Sequence, residues 1–219
     1  MWNSQVIIML LEGIRDTLYM TLASTLFGYI IGLTMGIVLT VTDKDGIRPN
    51  AAVYKVLDVI SNLLRSIPFI ILLIVLIPFT RFVVGRSYGS TATIVPLTIA
   101  AAPYIARMVE SSLKEVDAGV IEAARSMGAS DFQIVTRVML VEARTSLIVG
   151  ATISLGTILG YSAMAGTVGG GGLGDIAIRY GYTRWQTDIM VVTVVLLVIL
   201  FQIFQTIGMK IANRLDRRK

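Results

Sequence analysis

The sequence predicts an all-α integral membrane protein, a single domain over residues 1–219 with five transmembrane helices. Two observations carry that class. The chain is 55% apolar and only 15% charged, with a mean hydropathy of +0.78, whereas soluble domains have roughly 45–50% and about 25%. Five of its segments also come close to the ~20 mainly apolar residues that a helix needs to cross a bilayer. There is no Cys, so disulfides are excluded, and no His, which removes the commonest general base and metal ligand. A net charge of +5 then reads as loop lysines and arginines that orient the spans, and nucleic acid is not an expected partner. The opening residues, MWNSQVIIML, have neither a basic n-region nor a small-residue cleavage site, and do not read as a cleaved signal peptide.

In chain order, the expected spans cover about residues 18–41, 60–79, 91–108, 145–165 and 189–207. Ahead of the first, Val6, Ile7, Leu10, Leu11 and Ile14 recur at helical spacing with Glu12, Arg15 and Asp16 elsewhere. That segment predicts a short amphipathic helix at the interface. Orientation follows from the basic residues. Lys44, Arg48, Lys55, Lys114, Arg125, Arg137, Lys210, Arg214, Arg217, Arg218 and Lys219 fall on one side. Arg15, Arg81, Arg86, Arg179 and Arg184 fall on the other. Eleven against five puts the first group in the cytoplasm, the N-terminus outside and the C-terminus inside. Tyr180, Tyr182 and Trp185 then belong to an outer aromatic belt.

Glycines and prolines punctuate the spans. Gly28, Gly32 and Gly36 form two consecutive GxxxG steps, and Gly156 with Gly160 forms another. Such faces let helix backbones approach closely, within one chain or between two copies. Pro68, Pro78, Pro96 and Pro103 each remove a backbone donor, which predicts interrupted or kinked second and third spans.

Several chemistries are absent. The run GGGGLG at residues 169–174 matches GxGxxG, but it follows a span and lies on the outer side, so it predicts a flexible or re-entrant loop and not a nucleotide site. No GxxxxGK[ST] occurs, and no Asp, Glu, Lys or Arg sits at the centre of a span. Charges at mid-bilayer usually mark ion or proton relays. Five spans also leave no room for two large inverted repeats. A transporter of this kind would draw its energy from another chain.

The stretch between spans three and four gives that conclusion a purpose. VIEAARSMGASDFQIVTRVMLVEA, residues 120–143, is charged and helix-forming. Asp117 is placed to N-cap a helix over residues 118–127, a rod about 15 Å long, and Gly128 to end it. Ser130 and Gln133 form a capping box that starts a second helix. An ordinary connection takes a few residues; this loop, about residues 113–141, spends some thirty on two capped helices. It reads as a docking element more readily than as a solvated linker.

Glu122-Ala123-Ala124, then three residues, Gly128, then nine more and Val138-Met139-Leu140, resembles the EAA loop of ABC importer permeases. The family pattern is E-A-A-x3-G-x9-I-x-L-P, with Val138 here in place of Ile and Val141 in place of Pro. LLRSIPFIILL (residues 63–73), AAPYIARMVE (101–110) and GYSAMAGTVGGGGLG (160–174) are similar to segments of the methionine importer permease family. The resemblance implies a type I importer fold in a bacterial inner membrane, moving methionine, L and D, by alternating access. It implies a homodimer, two ATPase subunits docked on the EAA loops through Glu122, Ala123, Ala124 and Gly128, and a periplasmic or lipid-anchored methionine-binding protein. ATP and Mg would bind the ATPase chains, leaving this chain with no cofactor, metal site or catalytic residue of its own. The alternatives are a permease for another small amino acid, an ion-coupled carrier or a channel subunit.

Tyr161 and Met164, three apart near the outer end of span four among small neighbours, are the candidate substrate pathway or gate. Ordinary packing is the competing reading for both. Arg65 reads first as a snorkelling arginine, and Arg107 with Glu110 as an ion pair at the membrane edge.

Overall fold

The computed structural model describes residues 4–216, and all of the regular structure among them is helical. The first helix, α1 (Ser4–Thr42), is continuous over 39 residues, about 58 Å at 1.5 Å per residue. The short interfacial helix expected ahead of the first span is therefore the opening of α1 itself. Nothing between Ile14 and Leu18 breaks the helix, and its inner face is occupied: Gly13 packs against Ile176 and Leu173, and the Thr17 hydroxyl accepts a 2.9 Å bond from the Leu173 N–H.

The second expected span is not one helix. α2 (Ala51–Ser66) and α3 (Phe69–Val75) meet at 104°. Pro68 explains the bend: its ring pushes the preceding residue out of the helical region, and Ile67 is extended with ψ 124°. α4 (Ile77–Val84) follows, with Pro78 in its first turn, where a missing donor costs nothing, and Gly85 in the left-handed region at its end. Pro96 and Pro103, by contrast, sit inside α5 (Ser90–Lys114), which runs unbroken for 25 residues, so they do not divide the third span into two helices. Among the described residues, four helices are long and apolar enough to cross a membrane, or five if the bent α2–α3 pair counts as one span.

α6 (Ala118–Ser126), α7 (Asp131–Gln133), a π-helical stretch (Ile134–Met139) and α8 (Leu140–Glu142) form the segment between α5 and α9 (Arg144–Ala165). A 3₁₀ turn (Gly166–Val168), α10 (Gly172–Ile176) and a second π-helical stretch (Ala177–Tyr182) lead to α11 (Thr187–Leu215).

α5 is the central post. Ala101, Ile105, Val109 and Leu113, each four residues apart, are fully buried. The glycine face of α1 lies directly on them. A β-carbon at Gly32 would stand 2.7 Å from the Ala102 carbonyl oxygen, and one at Gly36 would stand 2.6 Å from that of Ala106. The GxxxG repeat is thus a close α1–α5 contact within the chain. Gly156 likewise meets Phe201 of α11, whereas nothing lies within 4 Å of a β-carbon at Gly160.

The glycine run at 169–174 packs and does not hang free. The Gly89 N–H bonds the Gly169 carbonyl at 2.9 Å, and the Gly170 N–H bonds that of Ala165 at 2.9 Å. A β-carbon at Gly174 would lie 2.2 Å from the Ala163 carbonyl oxygen, so the backbone itself fills this corner. Gly169 and the start of α1 therefore gather at one end of the bundle, with α6 and the α1–α2 loop at the other.

Candidate functional site

α6 is built from local signals. The Asp117 carboxylate accepts from the Gly119 N–H at 2.7 Å and starts the helix. Gly128, with φ of +84°, turns the chain out of it, a conformation that costs a side-chain-bearing residue strain. The Ser130–Gln133 capping box is present in both directions. The next six residues take π-helical form, which nothing in the sequence pattern signals.

Within the EAA stretch the side chains divide. Ala124 is buried in the core formed by Val109 and Leu113 of α5 with Ile134 and Met139 of the π-helical stretch, and the half-buried Ile121 packs beside it, so α6 is seated through two apolar residues on a core that both elements share. Glu122 and Ala123 are exposed. Glu122 lines a cavity of about 550 Å³ shared with Asp43, Lys44, Ile47, Lys114 and Arg125. Apolar side chains stay uncovered on the outward side of the loop: Met127 is 82% exposed and Phe132 76%. An exposed apolar patch rimmed by charge is a common mark of a protein-binding surface.

One polar contact ties α6 to the α1–α2 loop and one ion pair ties the end of α5 to that of α1, and the sequence offered no sign of either. The Arg125 guanidinium donates to the Ile47 carbonyl at 2.9 Å, 78 residues away in the α1–α2 loop. Lys114, three residues before the Asp117 cap, bonds Asp43 at the end of α1. That bond holds the Asp43 carboxyl below the usual carboxylate range, the side-chain bond to Lys114 being the largest cause.

Arg107 and Glu110 do form an ion pair, at 2.7 Å, but they belong to a larger array. The buried Glu110 carboxylate also accepts from Lys114 at 2.8 Å and from the Tyr54 hydroxyl at 3.2 Å. Arg107 reaches across to Asp58, and to Asn62 at 3.1 Å. Three partners satisfy Glu110; removing one partner of a buried pair costs about 3–5 kcal/mol. Arg65 is exposed.

At the other end, Tyr161 and Met164 have different surroundings. The Tyr161 ring stacks on Phe69, with centroids 4.5 Å apart and planes 5° from parallel, beside a core of Met20, Leu73, Leu97 and Ala165. Met164 is 48% exposed and shares an open stripe of α9 with Ile153 and Gly160, both exposed, which exposed Thr167 continues into the 3₁₀ turn.

Comparison with known proteins matches residues 28–219 to the family "Binding-protein-dependent transport system inner membrane component". The chain is 47% identical over 210 residues to the probable D-methionine transport system permease protein MetI of Vibrio cholerae, covering 96% of this chain and 93% of that one. It is 53% identical over 158 residues to the D-methionine transport system permease protein MetI of Escherichia coli, covering 72% and 73%. A chain in a solved structure of inward-facing conformations of the MetNI methionine ABC transporter superposes with a TM-score of 0.97 at 49% identity, covering 99% of this chain and all of that one. An amino acid ABC transporter solved with histidines shares the fold at a TM-score of 0.78 and 20% identity. With the family match spanning most of its length, the chain belongs to the binding-protein-dependent inner-membrane transport components.

Proposed function

We propose that this chain is the membrane-spanning permease of an ATP-driven methionine importer in a bacterial inner membrane. It works as a homodimer with two separate ATPase chains and a methionine-binding protein on the outer side. The N-terminus faces out and the C-terminus in, with five spans, the bent α2–α3 pair supplying the second. The observation that carries the reading is the geometry of α6. It is a nine-residue helix capped at both ends, seated through Ala124 and Ile121 on a core shared by α5 and the π-helical stretch. Glu122, Ala123 and Met127 face outward. A partner that grips this outward face moves α5 directly, because three residues separate the two helices. The substrate in this reading follows the relatives' names.

α9 supplies the pathway. Met164 is a soft, polarisable side chain suited to a thioether, set on a helix face that Gly160 leaves slim. A weak site is sufficient where a separate binding protein delivers the cargo. The test is co-purification. Gly128→Val forces a β-branched residue to φ +84°, where nothing crowds its β-carbon, so the lesion is confined to the turn. The variant is expected to insert in the membrane yet lose the ATPase chain or uptake. Normal assembly together with normal uptake contradicts the reading.

A further inference from the structure

α2 is held to the body of the protein in an unusual way for a membrane-protein helix. Its apolar residues Val53, Val56, Val59, Ile60 and Leu63 are exposed, and its one buried residue is Ser61. The grip on α5 is polar. Tyr54, Asp58 and Asn62 recur every four residues and make one stripe. Opposite them on α5, Arg107 and Glu110 make a second stripe, antiparallel to the first: Tyr54 meets Glu110, while Asp58 and Asn62 meet Arg107. Lys114, on the next turn of α5, joins Glu110 to Asp43 at the end of α1. An apolar interface tolerates sliding, whereas a ladder of charged bonds has one register, and fixing register is the best-attested use of buried ion pairs.

The two ends of α2 meet the two sites described above. Its N-terminal side begins at Asn50, immediately after the loop whose Ile47 carbonyl holds Arg125 of α6. Its C-terminal side turns 104° at Ile67-Pro68 into α3, whose first residue, Phe69, stacks on Tyr161 three positions from Met164. α2 is thus a rigid arm between the α6 end and the α9 face.

We infer that α2 is the lever that carries displacement of α6 to the Tyr161–Met164 segment, with Asp58 and Arg107 as the positioning pair that locks it to α5. The lever rests on the reading of α6 as the ATPase dock and of α9 as the pathway. Neither residue touches cargo. With the joint intact, α5, α6 and α2 move together, and the Phe69–Tyr161 stack moves with them. With it broken, the ATPase still docks and turns over, while α2 no longer follows.

The experiment uses the assembled permease–ATPase complex in vesicles with the binding protein and radiolabelled methionine, and reads methionine imported per ATP hydrolysed. Asp58→Ala is expected to retain the parent's ATPase stoichiometry and basal hydrolysis. Its import per ATP should fall at least about fivefold, the low end of ordinary coupling energies. Asp58→Glu, which keeps the charge facing Arg107, is expected to restore the ratio. An Asp58→Ala complex with the parent's ratio overturns the lever. So does loss of assembly in Asp58→Ala, which would make the pair a folding contact, and so does failure of Asp58→Glu to restore coupling. Gly128→Val run in parallel separates the two levels. If it assembles and imports normally, the reading of α6 is lost. If it fails while Asp58→Ala couples normally, only the lever is lost.

Discussion

The Phe69 and Tyr161 rings stack 4.5 Å apart and nearly parallel, which joins the bend after α2 to the C-terminal part of α9. Tyr161 is therefore packed against Phe69, whereas Met164 lies half-exposed. Stacked aromatic pairs contribute about 0.5–1.5 kcal/mol beyond their buried area. Tyr161→Phe is expected to keep uptake near the parent's, and Tyr161→Ala to lower it. Met164→Ala is expected to alter uptake or the hydrolysis that occurs without cargo, with the complex intact. Transport and basal hydrolysis assays in vesicles decide; parental values for both alanine variants would make these residues packing only.

The glycine face of α1 gives a stability prediction. A methyl group at Gly32 meets backbone 2.7 Å away, and overpacking of this kind costs about 1–3 kcal/mol. For a chain of this size, Gly32→Ala should lower the unfolding midpoint of the detergent-purified permease by about 2–12 °C. Gly160→Ala, with nothing within 4 Å, should leave it unchanged or raised. Equal shifts in the two variants would contradict the α1–α5 contact.

Orientation can be read from single cysteines in a chain that has none. Exposed sites serve best: Met127 at the α6 end and Tyr182 at the other, 82% and 69% accessible. Gly170 is unsuitable, because a side chain there would run into the Ala165 carbonyl. In intact cells an impermeant thiol reagent should label Tyr182→Cys and spare Met127→Cys. The reverse pattern would invert the topology.

Acid should loosen the joint between α1 and α5. Bonded to Lys114, Asp43 sits below its ordinary carboxylate range. Its contribution is thus fully present above the unfolded value of about 3.9, and is lost as pH falls through the lower native value. Thermal unfolding at pH 7 and pH 3 should show a smaller acid-induced drop in Asp43→Asn than in the parent. An identical drop would show that the Lys114 bond contributes nothing.

Much of this architecture was legible in the sequence because its signals are local. Asp117, Gly128 and the Ser130–Gln133 box mark α6 and its successor without reference to the rest of the chain, and the apolar runs mark α5, α9 and α11. What was hidden depends on distant partners. Ile67-Pro68 announces a bend, but a bend of 104° depends on what α3 packs against, and Phe69 finds Tyr161 some ninety residues later. Continuity of α1 through Arg15-Asp16-Thr17 follows from Leu173, which the local amphipathic pattern does not include. Arg125 looked like surface charge until Ile47 lay beneath it. The small residues at 28, 32 and 36 fit a face within the chain and one between copies equally well; only the position of Ala102 and Ala106 decides between them.

In the proposed mechanism this chain imports methionine using ATP hydrolysed on another subunit. The decisive assay reconstitutes the permease, its ATPase and its binding protein in sealed vesicles, with radiolabelled methionine on the binding-protein side and ATP on the α6 side. Methionine is expected to accumulate above the outside concentration in a way that requires ATP, is insensitive to dissipation of the proton gradient, and disappears in Gly128→Val. Accumulation without ATP that collapses with the ion gradient, or none of methionine under conditions that load another amino acid, would contradict it.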